Sequence, residues 1–284
     1  MPYATLSLEG QCALITGASS GIGKAVAFRL VEEGISRLVL IARRKERLAV
    51  IQQELLALRN GTGKSAGPGG GDVRVHVIGM DLGANMDEVA RLPDVLPEEY
   101  RDVDIVVNNA GLALGKDAVY DNSVANVIGM VNVNVSGAFV LASAFLQRMK
   151  QRNTGHLVNI GSTAGHNPYA GGSVYCGTKA ALLAFSDAAR HDLVNSAVRI
   201  TTLSPGAVQT EFSVVRFNGD QSKAEAVYDR LVPMNADDIA DQIHYVVTRP
   251  KHVQIATLIS VATAQADAST IARGVSLEPV AKNQ

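Results

Sequence analysis

The chain has 284 residues, 26 Lys+Arg against 27 Asp+Glu, a formal net charge of −1, 47% hydrophobic and 19% charged residues. That length suits one large α/β domain, and a near-zero charge gives no general attraction to phosphate backbones or acidic lipid surfaces, so neither nucleic acid nor membrane is an expected partner. Cys12 and Cys176 have no CxxC spacing, which argues against a disulfide scaffold or a thiolate metal site. The opening MPYATLSLEG has no basic region or long apolar run, and the longest apolar stretch, Val127 to Leu146, is interrupted by Asn132, Asn134 and Ser136. The expectation is a soluble protein of a reducing compartment, the cytoplasm, with the nucleus left open.

In chain order, short aliphatic or β-branched runs alternate with longer helical patterns. Strands are predicted near 11–16, 37–42, 73–80, 104–108, 155–161, 197–204 and 255–260, and helices near 22–34, 44–59, 84–92, 123–150, 173–195 and 236–249. Alternation of this kind predicts a doubly wound, seven-stranded parallel sheet with helices on both faces and right-handed crossovers. The segment Asn60 to Asp72 holds six glycines and reads as a mobile surface insertion, since so much glycine is entropically costly to order. The whole chain, 1–284, is then one domain with a core at about 8–262 and a small, polar tail at 263–284.

The first predicted strand runs into Thr16-Gly17-Ala18-Ser19-Ser20-Gly21-Ile22-Gly23 and a helical pattern. Gly17 permits a tight turn, Gly21 a close approach of backbone to a pyrophosphate, and Gly23 close packing of helix on strand, while the free N–H groups of the helix start face anionic oxygens. At the end of the second strand, where an acidic residue would bind the ribose of NAD, the sequence has Ala42-Arg43-Arg44-Lys45. Two arginines after a small residue suit a 2′-phosphate and favour NADP(H) over NAD(H); a solvated first helical turn is the alternative. Gly63-Lys64-Ser65 lacks the first glycine and the strand of a P-loop, Gly161-Ser162-Thr163-Ala164-Gly165 has Ile160 where an esterase elbow needs glycine, and the histidines form no HExxH, so no metal is expected.

After the fifth strand comes Ser162, then Tyr175-Cys176-Gly177-Thr178-Lys179 at the start of a helix. A four-residue spacing puts Tyr175 and Lys179 on one helical face, where an ammonium would lower the phenol's pKa and make it a usable proton acceptor.

These segments, with Asn108-Asn109-Ala110-Gly111 and Pro205-Gly206, resemble the short-chain dehydrogenase/reductase family over about residues 8 to 262. The resemblance implies a Rossmann fold, usually dimeric or tetrameric, with Tyr175 as general acid/base, Lys179 lowering its pKa and bonding the nicotinamide ribose, and Ser162 orienting the reacting group. It implies Asn134 as the catalytic asparagine that holds a relay water, with Asn132 as a nearby competitor. At the cofactor it implies Gly17, Ser19, Ser20, Gly21, Ile22 and Gly23 in the turn, Asp81 and Leu82 at the adenine, and Asn109, Ala110 and Gly111 at the strand end. Pro205, Gly206, Val208 and Thr210 fall near the nicotinamide carboxamide.

Asn109 to Gly115, Gly161 to Lys179 and Thr210 to Asp220 are similar to the subgroup of NADP-dependent 3-hydroxy acid dehydrogenases, which oxidise the β-hydroxyl of serine, allo-threonine or 3-hydroxyisobutyrate-like acids. The glycine-rich insertion and a shortened Lys116 to Val127 depart from that subgroup, the latter near the substrate cleft. A hydroxy acid needs a partner for its carboxylate, and Arg216 in SVVRF is the candidate; a surface arginine or a subunit contact is the alternative. A reductase of an uncharged ketone, or a non-catalytic NADP(H)-binding protein, are the competing functions. The helical stretches Ser136 to Phe145 and Lys179 to Ala189 could pair across a two-fold, giving a homodimer or homotetramer.

Overall fold

The computed structural model describes residues 5–61 and 72–277, so most of the glycine-rich insertion and the last residues of the tail lie outside the described residues. Seven strands form one parallel sheet in the order β3-β2-β1-β4-β5-β6-β7. They are β1 (Cys12–Thr16), β2 (Arg37–Ala42), β3 (Arg74–Gly79), β4 (Ile105–Asn108), β5 (Gly155–Ile160), β6 (Val198–Pro205) and β7 (Thr257–Ser260). Each falls within the span predicted for it or one residue beyond. The uninterrupted burial of β1, β4 and β6 is what a sheet covered on both faces demands, and it is why these strands read as continuous aliphatic runs.

Alternate side chains of one strand enter opposite cores. From β1, Ala13 and Ile15 join the cluster built with α1 (Gly21–Glu32), α2 (Lys45–Gly61) and α10 (Ala236–Val247), through Leu30, Leu48 and Ile243 among others. Cys12 and Leu14 join the opposite cluster with α3 (Met86–Val95), α5 (Ala138–Arg152) and α7 (Ser173–Asp192), through Leu92, Phe145 and Ala189. Both cysteines are buried and unpaired.

Three helical details differ from expectation. Helix α3 starts at Met86 rather than 84 because the Asn85 side chain caps it, accepting from the N–H groups of Asp87 and Glu88 at 3.1 and 3.3 Å. The helix expected at 123–150 divides into α4 (Val124–Val131), a π-helical turn at Asn132–Gly137, and α5. A Cβ on Gly137 would stand 2.2 Å from the Leu82 carbonyl oxygen, so the helix passes the end of β3 too closely for any side chain, and the widened turn carries Asn134 into the interior. Although this run from Val124 to Arg152 is long and apolar enough to cross a membrane, Leu141, Ala142, Phe145 and Met149 of α5 are spent on the sheet. Finally, three short helices with no strong periodic signal appear, α6 (Thr163–His166), α8 (Glu211–Arg216) and α9 (Gln221–Ala226).

The strand order reverses between β1 and β4, whose neighbours run outward in opposite directions. The crevice beyond the carboxyl ends of these two strands is where an open α/β sheet binds ligands.

Candidate active site

The floor of that crevice is tied by Thr16 at the end of β1. Its Oγ1 accepts from the N–H groups of Asn109 (3.0 Å) and Ala110 (2.9 Å), and its carbonyl accepts from Asn109 Nδ2 at 2.8 Å. Asn109 therefore lines the cleft while its amide holds two strand ends together, and Thr16 is a structural partner that the motif alone does not reveal. Gly17 (φ +67°) and Gly21 (φ +53°) adopt left-handed backbone. A Cβ on Gly23 would lie 2.5 Å from the Gly17 carbonyl oxygen, so Gly23 sits beneath the turn as a packing residue and does not line the cleft.

The other turn residues, Ser19, Ser20, Gly21 and Ile22, line one cleft with Arg43, Arg44, Asp81, Leu82, Ala110 and Gly111. Ser162, Tyr175, Lys179, Pro205, Gly206, Val208 and Thr210 complete the same wall. Residues from six strand ends thus converge, although they lie far apart in sequence. Gly206 is held from behind: its N–H donates to the Ser260 carbonyl at 2.7 Å, and the Ala207 N–H donates to Gln265 Oε1 at 2.8 Å. Arg44 folds over the glycine turn, its Nη2 donating to Ser19 Oγ at 3.1 Å and Ser20 Oγ at 3.0 Å, and its Nη1 to Glu211 Oε2 at 3.1 Å. Arg43 reaches out toward Asp81 at 3.9 Å.

Tyr175 is buried in the first turn of α7. Burial pushes its phenol well above the ordinary value; the Ser162 hydroxyl and the Arg216 guanidinium pull it back, and Tyr169 opposes them. Lys179 is held from the sheet side. Its Nζ donates to the Ile160 carbonyl at 2.7 Å and stands 5.9 Å from the centroid of the Tyr175 ring, and burial lowers its own pKa from 10.5 to about 8. The cation expected to lower Tyr175 is thus anchored on the end of β5 and stands 5.9 Å from the ring centroid, as far as the Arg216 guanidinium does, so two cations face the ring.

Of the two competing asparagines, Asn134 is the buried one. Its Nδ2 donates to the Leu112 carbonyl (2.7 Å) and to Thr178 Oγ1 (3.1 Å), and its Oδ1 accepts from the Leu112 N–H (2.9 Å). It lies behind the cleft wall, holding the strand-end loop. Both of its amide hydrogens are committed, leaving one lone pair on Oδ1.

Arg216 ends α8, is half-buried and bonded to its neighbours, and is not among the residues that line the cleft. Its Nε donates to the Gly115 carbonyl at 3.1 Å and its Nη1 to the Tyr169 hydroxyl at 2.9 Å, while the Gly115 N–H donates to the Arg216 carbonyl at 2.9 Å. The guanidinium lies 5.6 Å from the Tyr169 ring centroid and 5.9 Å from that of Tyr175, and its buried Nη2 has no partner. Phe212, 5.7 Å from Tyr175 between ring centroids, and Leu112 and Val215 supply an apolar wall beside it. Tyr169, Phe212 and Glu211 fall inside the quoted segments but were not singled out; Glu211 and Phe212 reach the site on α8, and Tyr169 meets Arg216 of that helix.

Comparison with known proteins agrees with this geometry. The profile of the short chain dehydrogenase family matches residues 11–220. The chain belongs to the short-chain dehydrogenase family. It is accordingly an oxidoreductase, and its sheet is the seven-stranded Rossmann form that the sequence predicted. The Schizosaccharomyces pombe NADP-dependent 3-hydroxy acid dehydrogenase is 38% identical over 269 residues, 94% of this chain and 98% of that enzyme. The Agrobacterium fabrum serine 3-dehydrogenase is 38% identical over 245 residues, 86% of this chain and 91% of that enzyme. Among solved structures, the closed form of a serine dehydrogenase complexed with NADP+ superposes with a TM-score of 0.81 at 36% identity, covering 95% of this chain and all of that one. This short-chain dehydrogenase therefore shares its fold and nearly its full length with enzymes of that type.

Proposed function

We propose that the protein is an NADP(H)-dependent dehydrogenase that exchanges a hydride at the 3-hydroxyl of a small 3-hydroxy acid such as serine, allo-threonine or 3-hydroxyisobutyrate. The observation that carries the substrate class is Arg216: a guanidinium fixed beside Tyr175 whose buried Nη2 lacks a partner. A carboxylate would satisfy that donor with a charge-assisted bond and so orient the hydroxyl toward Tyr175.

The residues present fit the cofactor. The left-handed backbone of Gly17 and Gly21, the free start of α1 and the two arginines after β2 form a cradle for a pyrophosphate and a 2′-phosphate. Gly17, Ser19, Ser20, Gly21 and Ile22 would hold the former, Arg43 and Arg44 the latter, with Asp81 and Leu82 at the adenine and Asn109, Ala110 and Gly111 along the ribose side. Pro205, Gly206, Val208 and Thr210 would flank the carboxamide. When bound, the nicotinamide supplies the hydride acceptor.

The chain's own residues supply the proton chemistry. Burial keeps Tyr175 protonated, so it would donate the phenol proton to the carbonyl oxygen on reduction, and the phenolate so formed would take the hydroxyl proton on oxidation, while the Ser162 hydroxyl, which favours that phenolate, would orient the reacting oxygen. Lys179, held by the Ile160 carbonyl, retains donors for a ribose hydroxyl. The remaining lone pair of Asn134 Oδ1 can accept from a relay water, which is its part in returning the proton to solvent. Assembly as a homodimer or homotetramer is supported by the exposed stripe Val124, Ile128 and Val131 on α4, and a cytoplasmic location fits the two unpaired, buried cysteines.

Nicotinamide absorbance with NADP+ or NAD+ and L-serine, L-allo-threonine, 3-hydroxyisobutyrate and an uncharged secondary alcohol tests the proposal. Turnover of the acids with NADP+ is expected, and Arg216→Ala should raise KM for them by about 10- to 150-fold, the equivalent of one lost charged hydrogen bond. Turnover of the uncharged alcohol alone would point to the ketone reductase that the apolar wall of Leu112, Phe212 and Val215 would also suit.

A further inference from the structure

Glu211, the first residue of α8, reaches across the mouth of the cleft to the start of α2. Its Oε2 accepts from Arg44 Nη1 at 3.1 Å, and both its oxygens accept from Arg47 Nη1 at 2.9 and 3.0 Å. The same Arg44 lies on Ser19 and Ser20 of the glycine turn. A carboxylate therefore sits on Arg44, the guanidinium that lies on the turn, and on Arg47, in the chemical position of a second anion. Partial burial raises the Glu211 carboxyl, but the bonds from Arg44 and Arg47 outweigh it and keep the group ionised.

We propose that Glu211 is an internal competitor for the 2′-phosphate of NADP(H): it occupies Arg44, one of the two guanidinium groups of the phosphate seat, with Arg47 as its second partner, and the phosphate must displace it from Arg44. This rests on the NADP(H) reading above. Two consequences follow from the position of Glu211. First, it sets how strongly 2′-phosphorylated nucleotides are preferred, because a plain ribose has no anion with which to contest the seat. Second, the exchange frees the first turn of α8 from α2, and five residues on, the same short helix carries Arg216. The adenosine end of the cleft and the substrate end are thereby joined through one element of six residues.

Calorimetric titration of the full chain with adenosine 2′,5′-bisphosphate and with 5′-AMP tests this. The wild type should prefer the bisphosphate. Each contact in the Glu211 cluster is a half-exposed ion pair and individually weak, so Glu211→Gln should tighten the bisphosphate by about 3- to 10-fold and leave 5′-AMP within about 2-fold. In an Arg44→Ala/Arg47→Ala background, the Gln substitution should have no further effect. Amide hydrogen exchange in residues 211–216 should be faster with the bisphosphate than with 5′-AMP in the wild type, and equal with the two in Glu211→Gln. Bisphosphate binding that is unchanged or weakened in Glu211→Gln overturns the competition. Equal exchange in the wild type overturns the coupling to α8. A wild type with no preference between the nucleotides overturns the NADP(H) reading and this inference with it, which separates the two failures.

Discussion

Lys179 should make the fold less stable than it would be without it. Its ammonium is buried, and its pKa falls from 10.5 to about 8. A shift of that size corresponds to about 3 kcal/mol at neutral pH, at about 1.4 kcal/mol per unit. Below pH 8 both folded and unfolded chains carry the proton, and the full cost applies. Between about 8 and 10.5 the unfolded chain holds a proton that the folded chain has released, so the unfolded state binds more protons and stability rises with pH. Cys12 acts in the opposite direction: burial raises it from 9.0 to about 12, and its contribution falls above pH 9. Replacing Lys179 with Met removes the buried charge but loses the charged bond to the Ile160 carbonyl, worth about 1.5–3 kcal/mol. The expected net gain is up to about 1.5 kcal/mol at pH 7, with complete loss of turnover. Urea denaturation of both proteins at pH 7, 8 and 9 checks it, since titrations shared by the two cancel in their difference. A Met variant less stable than wild type at pH 7, or a difference that does not shrink between pH 7 and 9, would refute the reasoning.

Two further substitutions address the chemistry and its support. Tyr175→Phe keeps the ring beside Phe212 and removes only the hydroxyl; kcat should fall about 10²- to 10⁴-fold with NADPH affinity within about 2-fold, read by steady-state kinetics and fluorescence titration. Gly23→Ala puts a Cβ 2.5 Å from the Gly17 carbonyl oxygen and 2.8 Å from Asn109 Nδ2, so the turn must shift; a stability loss of about 1–3 kcal/mol and at least about tenfold weaker NADPH binding are expected from denaturation and titration.

The strands were legible because burial on both faces leaves an unbroken aliphatic run, and the turn because its glycine spacing encodes left-handed backbone and a close approach that favour glycine. The π-helical turn was not legible: it ends where Gly137 approaches the Leu82 carbonyl, a contact between segments 55 positions apart, and the apolar pattern continues through it. Glu211 and Arg47 are separated by 164 positions and carry no local signal of their meeting. Long-range polar contacts of this kind depend on where a short helix docks, and α8 has too few residues for periodicity to reveal it.

The Tyr175–Lys179 pair shows where pattern stops and geometry begins. Four-residue spacing fixes which face two side chains share, but a lysine stem has four rotatable bonds and its ammonium goes where an acceptor waits. Here the acceptor is the Ile160 carbonyl at the end of β5, two residues before Ser162. One strand end therefore holds the ammonium and carries, two residues on, the Ser162 hydroxyl that acts on Tyr175, so a change in the register of β5 would move both neighbours of the phenol together. This explains why a catalytic set drawn from a loop and a helix can stay aligned: the central sheet, buried on both sides, fixes the two partners relative to each other, and α7 has only to bring the phenol to them.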